Sequence, residues 1–346
     1  MTTRAEILRL LSDGAFHSGT DLGKKLGITR AAVCKNVHRL AQSGLEVHRV
    51  TGRGYKLDTP LTLLDRAHLL KLLGGAAAKI RDRLHILDEV DSTNRYLAEH
   101  VAADMDINGA VCIAETQLSG RGRRGRSWIA TPYCNLMLSM AWRFPGGPGL
   151  VSGLSLAAGV ALLRALEEYG VSGGRSRHPA SRDTGTSLCG VGLGLKWPND
   201  VLWDNRKLAG LLVDVQGEAA GPTLVILGLG INGHISREDA ARIDQPWADL
   251  QDITGETTDR NRLAALVMRR LLDMFQLFAD KGFAPFRDEW QKRHLFHGRR
   301  VRLIQGDREF SGTAEGIDET GGLIIRHARN RQVFHSGEVS LRPARV

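Results

Sequence analysis

The chain has 346 residues, a formal net charge of +9 and a pI of about 9.7. That length exceeds what one hydrophobic core usually spans, so two or three domains are expected. Hydrophobic residues at 42% and charged residues at 25% argue against a disordered or fibrous chain, and the basic balance fits an anionic partner, nucleic acid or nucleotide.

The start, Met1 to Glu6, lacks the apolar stretch of a secretory signal. Residues 4–12 carry Ile7, Leu8, Leu10 and Leu11 as a short amphipathic helix. Leu22 and Leu26 share one face of a second helix, and Gly27 supplies the turn. Thr29 is a candidate cap for a helix over 30–43, striped by Val33, Val37 and Leu40 and ended by Gly44. Thr29, Arg30, Ala31, Lys35 and Asn36 are its candidate groove-facing residues. Val47 to Leu57 reads as two strands around a glycine turn with a basic tip at Arg53, a wing. Residues 19–38 thus read as a helix-turn-helix and residues 1–62 as a winged DNA-binding domain; small amphipathic helix pairs also occur as plain packing units, and the wing favours DNA binding.

Pro60 and Thr62 mark a linker into residues 63–73. Leu84 to Val90 reads as a strand, and Asp91-Ser92-Thr93 can cap a helix starting near Asn94. Strands at 111–114, 135–140, 208–215 and 223–231, with a helix at 150–169, suit a mixed α/β domain with a central sheet. The apolar run Leu150 to Leu163 is interrupted by Ser152, Gly153, Ser155 and Gly159, which suits a core helix; no membrane partner is expected. Asn261 to Phe278 is strongly amphipathic. From Arg299 to Arg342, short strands alternate with glycine turns, as in a small β-barrel. The expected domains are 1–62, 63–294 and 295–346.

Cys34, Cys112, Cys134 and Cys189 form no C-x-x-C motif and read as reduced thiols of a cytoplasmic protein. His294 and His297 lie close in sequence, but nothing completes a metal cluster, so no protein-only metal site is expected.

Gly120 to Trp128 packs three glycines, four arginines and an indole into nine positions. Glycine lets backbone approach a ligand, and arginine offers planar donors for carboxylate or phosphate. Arg/Gly runs also occur in disordered RNA-binding tails. Here the run is pinned between two apolar strands, which places it in a folded core. It is expected to be mobile when empty.

A second block, Lys196-Trp197-Pro198-Asn199-Asp200, is followed by Asn205 to Asp214. With Gln117 and Asp91-Ser92-Thr93-Asn94, these motifs make the chain resemble biotin protein ligases. With the winged head, it resembles the bifunctional subtype that also represses the biotin operon. The resemblance covers nearly the whole chain. It implies a catalytic domain of the biotin/lipoate ligase type and an SH3-like C-terminal domain. The Gly/Ser/Arg-rich stretch within 171–193 departs from the family as an insertion, read as a flexible solvated loop, with DNA contact as the alternative.

The resemblance implies two steps. Biotin and ATP give biotinyl-5′-AMP, and a lysine of the biotin carboxyl carrier protein of acetyl-CoA carboxylase then takes the biotin. Such chemistry asks for orientation and charge neutralisation rather than a covalent enzyme intermediate. Lys196 and Arg123 are the implied catalytic cations. Ser92, Thr93, Asn94, Gln117, Arg121, Gly122, Arg123 and Lys196 are the implied biotin contacts, although plain helix capping also accounts for Ser92. Arg123, Trp128, Lys196, Asn232 and Arg342 are the implied nucleotide contacts. Trp197 is read as core or pocket wall, and Arg124 and Arg126 as equally open to solvation. ATP and Mg²⁺ are the expected cofactors, with Asp200 either a structural acceptor or part of the Mg²⁺ surroundings. The remaining expected partners are operator DNA and a second copy of the chain, joined when adenylate binds. Lipoate ligation, or biotin sensing by a non-catalytic repressor, are the alternatives.

Overall fold

The computed structural model describes residues 3–42, 44–100, 106–171, 192–218, 221–305, 308–335 and, as backbone, 339–343. Most of the 171–193 insertion therefore lies outside the described residues, as does the Arg342 side chain.

The head holds α1 (Thr3–Leu11), α2 (Gly19–Leu26), α3 (Arg30–Gln42) and the antiparallel hairpin of β1 (Val47–Val50) and β2 (Gly54–Leu57). Ser18 caps α2 by accepting the Asp21 N–H, and Gly27 ends it with a φ of 66°, a conformation that suits glycine. Ile7, Leu8, Leu11, Leu22, Val33, Val37, Leu40, Tyr55 and Leu57 close one small core. Tyr133, from the central domain, is buried in that same core.

The central sheet has seven strands in the order β3-β4-β5-β9-β8-β7-β6. They are β3 (Leu84–Val90), β4 (Ala110–Gln117), β5 (Leu136–Phe144), β6 (Leu193–Lys196), β7 (Asp200–Trp203), β8 (Arg206–Gln216) and β9 (Thr223–Ile231). Only β3 and β4 run parallel. Side chains alternate between the two faces of a strand. In β9, Val225, Leu227, Leu229 and Ile231 join the main core with α7 (Leu154–Tyr169) and α10 (Arg260–Lys281). On the other face, Leu224 and Ile226 pack with Leu97 of α6 (Thr93–His100). That second face then continues with Gly228, Gly230 and Asn232. Where leucines would have filled space, two glycines leave a hollow. With the turn before it, α7 is long and apolar enough to cross a membrane, but it is built into this core.

The C-terminal unit is a five-stranded antiparallel sheet. Its strands β10 (Arg300–Gln305), β11 (Arg308–Ile317), β12 (Leu323–His327), β13 (Asn330–Phe334) and β14 (Val339–Pro343) run in the order β13-β12-β11-β10-β14. Val301, Leu303, Ala314, Ile317, Leu323, Ile325 and Phe334 belong to the same apolar cluster as the central sheet. The turn after residue 294 is thus a change of topology, with no break in packing. Leu295 N–H donates to the Leu195 carbonyl at 3.0 Å, and Trp197 Nε1 donates to the Gly321 carbonyl at 2.9 Å.

The linker from the head is clasped by buried polar groups. Arg260 donates to the Thr62 carbonyl and sits 2.6 Å from the Glu115 carboxylate, with side-chain exposures of 1% and 6%. Glu115 also accepts the Leu64 N–H, and Asn261 pairs with the backbone of both Leu63 and Asp65.

Candidate active site

One cavity of about 360 Å³ opens over the glycine face of β9. Gly228, Gly230 and Asn232, at alternate positions along and just beyond that strand, all line the cavity. At one end, the Gly228 Cα lies against Asn94: a Cβ added there would sit 2.1 Å from Asn94 Oδ1. In the middle, Gly230 pairs in register with Gly210 of β8, and the Trp128 indole lies on both. At the far end stands Asn232.

The near end is a polar ring built where α6 starts. The Thr93 N–H and hydroxyl both donate to Gln117 Oε1, at 2.9 and 3.2 Å. Ser139 Oγ lies 2.6 Å from both Thr93 Oγ1 and Asn94 Oδ1, and the Asn94 amide donates to Asp214 at 2.8 Å. Because the Gln117 oxygen is engaged by Thr93, its amide N–H₂ is the group left to present to a ligand acceptor. Ser92, Thr93 and Asn94 are all buried, and all three line the cavity.

The middle is a row of residues in cross-strand register: Lys196, Asp200, Gly210, Gly230 and Met137, on β6, β7, β8, β9 and β5. Asp200 stands between two ammonium groups, 2.9 Å from Lys207 Nζ and 3.7 Å from Lys196 Nζ. Arg121, Gly122, Arg123, Arg124 and Arg126 line the same cavity. Their loop closes on itself through Gly122 N–H to the Arg126 carbonyl at 2.7 Å and Trp128 N–H to the Gly120 carbonyl at 2.8 Å. Arg124 takes a left-handed φ of 59° at its tip. Burial, then the neighbouring Arg124, hold the Arg123 guanidinium below its usual pKa, while Asp200 acts the other way. It stays charged at neutral pH.

At the far end, the Asn232 amide donates to the carbonyls of Lys207 and Ala248, so its own hydrogens serve the fold. Residues 242–247, ending in Trp247, close this side. The Trp128 Nε1–H is buried without a hydrogen-bond partner among the described residues.

The structure therefore brings Ser92, Thr93, Asn94, Gln117, Arg121, Gly122, Arg123, Trp128, Lys196, Asp200 and Asn232 around one cavity. Arg342 is placed only by its backbone, paired with Arg302 in β14. Trp197 is buried and is part of the cavity wall. Sequence reasoning missed Lys207, Ser139, Asp214 and the 242–247 segment. Lys207 was visible inside the second motif, and Ser139 as a lone polar residue in an apolar strand. The alternation Gly228-Leu229-Gly230 marked a close approach to the strand. Residues 242–247 carry no such mark.

In the head, Arg30, Ala31 and Lys35 are exposed on α3. Thr29 Oγ1 caps that helix by accepting the Ala32 N–H, and the Asn36 amide donates back to the Ala32 carbonyl, 2.9 Å away. Those two polar groups hold the helix. In the wing, Arg53 lies over the Phe16 ring, 4.2 Å from its centroid.

A cavity with a polar ring at one end, clustered cations and an indole fits the joining of a small acid to a nucleotide. Fold and site together define a protein ligase of the biotin/lipoate class. Residues 87–232 match the Biotin/lipoate A/B protein ligase family, 296–342 the biotin protein ligase C-terminal domain and 3–56 an HTH domain. The bifunctional ligase/repressor BirA of Escherichia coli strain K12 is 37% identical over 343 residues, spanning 99% of this chain and 98% of that one. The biotin–[acetyl-CoA-carboxylase] ligase of Mycobacterium tuberculosis is 34% identical over 278 residues, covering 80% of this chain and 95% of its own. The biotin protein ligase of Aquifex aeolicus, solved with biotin and ATP, superposes with a TM-score of 0.59 at 29% identity, covering 76% of this chain and 99% of that one. The chain belongs to the family of bifunctional biotin protein ligases and repressors.

Proposed function

We propose that this protein biotinylates the carrier protein of acetyl-CoA carboxylase through biotinyl-5′-AMP, and represses transcription when it holds that adenylate. The observation that carries the ligase reading is the ordering along β9: the polar ring at Gly228, then the cations and Trp128 at Gly230, then Asn232. Biotin presents the same sequence of needs, since its ureido group wants donors and acceptors and its carboxylate wants cations. The ureido carbonyl fits the Gln117 amide N–H₂, and Ser92 and Thr93 complete that end. The engaged Asn94 amide orders the ring through Asp214 and Ser139.

The carboxylate then lies beside Lys196, Arg121 and Arg123, where the α-phosphate of ATP must also come. Lys196 and Arg123 neutralise the two anions as they meet. A carboxylate oxygen forms a bond to the α-phosphorus, and pyrophosphate leaves. In the second step the acceptor lysine attacks the acyl carbon and AMP leaves with its phosphate oxygen. Trp128 and Arg342 serve the nucleotide, and Asn232, its amide bound to the Lys207 and Ala248 carbonyls, braces that end of the cavity. Gly122 lets the loop backbone come close.

Mg²⁺ would screen the triphosphate charge, and it is usually held by one or two carboxylates plus substrate phosphates. Asp200 and Asp244 line the cavity and fit that role, and no group of three potential ligands exists among the described residues.

The reading helix and wing, with Arg30, Lys35 and Arg53, suit operator DNA. A physical path links them to the site: Trp128 lies in the cavity and Tyr133, five residues on in the chain, lies in the core of the head. Adenylate binding at the arginine loop favours a homodimer that sets two heads on one operator, in the cytoplasm where carrier and DNA meet it. Linkage then requires operator and adenylate to strengthen each other.

The test mixes the full chain with ATP, Mg²⁺ and radiolabelled biotin, with and without a biotin carrier domain, beside Lys196→Ala. Label should reach the carrier and be lost in the variant. Transfer of lipoate in preference to biotin would overturn the reading. Operator affinity unchanged by biotin plus ATP would overturn the coupling.

A further inference from the structure

We infer that Lys207 is a further phosphate-binding cation of this site, beside Lys196 and Arg123, held by Asp200 until nucleotide arrives, and that it acts chiefly in the adenylating step. The inference rests on the ligase reading above. The Lys207 ammonium lies 2.9 Å from Asp200 Oδ1, with side-chain exposures of 18% and 13%. It also lies 5.4 Å from the Trp128 ring centroid, and its stem passes 3.1 Å from where a Gly210 Cβ would stand. A partly exposed ion pair contributes little to stability, so strand pairing alone is a weak reason to enclose a lysine here.

Its direction of approach is the telling feature. Lys196 stands in the middle row, in register with Gly210 and Gly230. Lys207 comes from the far end: its N–H donates to Pro246, and its carbonyl accepts from Ala248 and from the Asn232 amide. Backbone contacts therefore fix its main chain at the far end, and its stem brings the ammonium back from that side to Asp200 and Gly210 in the middle row. A displacement at phosphorus runs in line, so biotin attacking from the polar ring drives the leaving group toward the far end. There, the bond between the α-phosphorus and the bridging oxygen breaks, and pyrophosphate departs with the electron pair. Charge grows on that oxygen where Lys207 can meet it, with no proton transfer needed.

Asp200 explains how the cation waits. One carboxylate between two ammonium groups, with Arg123 near enough to feel its charge, mimics an anion already in the site. An arriving phosphate oxygen can replace it for Lys207 without moving the lysine backbone. In the second step no pyrophosphate is formed, so the demand on Lys207 is smaller.

The experiment separates the two half-reactions in the full-length chain. Single-turnover adenylate formation from biotin and Mg²⁺-ATP is compared with single-turnover transfer from supplied biotinyl-5′-AMP to a carrier domain. Wild type, Lys207→Met, Lys207→Gln and Lys207→Arg are measured, with biotin affinity alongside. Removing a preorganised charge-stabilising group costs about 10²–10³ in rate. Lys207→Met and Lys207→Gln should lose about that much in adenylation and at least tenfold less in transfer and in biotin affinity. Lys207→Arg should recover much of the adenylation rate. Equal losses in both half-reactions, an adenylation rate within threefold of wild type, or an arginine variant as slow as the methionine variant would overturn the inference. A wild-type chain that makes no adenylate would sink the ligase reading, and this inference with it.

Discussion

If the cavity runs along β9 in the order described, the two glycines of that strand control its two ends separately. Gly228→Ala would put a methyl 2.1 Å from Asn94 Oδ1 and 2.9 Å from its Cγ. Asn94 cannot swing aside freely, since Asp214 and Ser139 hold both ends of its amide. Gly230→Ala would put a methyl 2.4–2.7 Å from Cε2, Cζ2 and Nε1 of Trp128, a rigid ring that must lift off the sheet. Overpacking of this kind costs about 1–3 kcal/mol, roughly 5–150-fold in an equilibrium constant. Isothermal titration with biotin alone, and ATP saturation of adenylate formation at saturating biotin, read the two ends. Gly228→Ala should weaken biotin by about that factor and leave the KM for ATP nearly unchanged. Gly230→Ala should raise the KM for ATP with a smaller effect on biotin. Equal effects of each variant on both substrates, or the reverse assignment, would refute the axis and with it the division of the site into a biotin end and a nucleotide end.

Two further outcomes follow from buried polar groups. Arg260→Met strands the Glu115 carboxylate, which is 6% exposed, and breaking a buried pair costs about 3–5 kcal/mol. Thermal unfolding of the full chain should fall markedly and be partly restored by adding Glu115→Gln. An unchanged midpoint would show that the linker clasp does not hold the molecule together. His294 is packed against Trp290, with both ring nitrogens lacking a hydrogen-bond partner among the described residues, and burial pushes its pKa down to about 3. The unfolded chain, with a pKa of about 6.5, takes up the proton first. The contribution of neutral His294 is thus present above pH 6.5 or so and is lost as pH falls toward about 3. Denaturant unfolding of His294→Leu should show a shallower acid decline below pH 6.5 than wild type, and a parallel decline would refute this.

Much of the chemistry was legible because it is local. The arginine loop, Lys196 to Asp200, and Ser92 to Asn94 are contiguous, and a contiguous motif needs no knowledge of the fold to be seen. The helices of the head were equally plain, since Gly27, Thr29 and the stripe of Val33, Val37 and Leu40 each act within a turn or two. Roles assigned to single polar side chains were less secure. Asn36 and Asn232 are good donors on paper, yet both turn their amides to the backbone: half-buried Asn36 meets the carbonyl one turn back in its own helix, and buried Asn232 must satisfy its amide with the nearest carbonyls.

Tertiary structure decided the rest. The row from Lys196 to Met137 draws one residue from each of five strands, and strand register sets which of them meet. Slipping one strand by one residue would turn its side chain to the opposite face, so no spacing rule in the chain predicts the row. The Asp200–Lys207 pair, the Trp128 indole on Gly210 and Gly230, and the Arg260–Glu115 clasp on the linker share this origin. The amino-acid sequence by itself determined which chemical groups were available and which short segments would carry them. Only the packed sheet decided which groups face one another, because that choice depends on contacts between segments far apart in the chain.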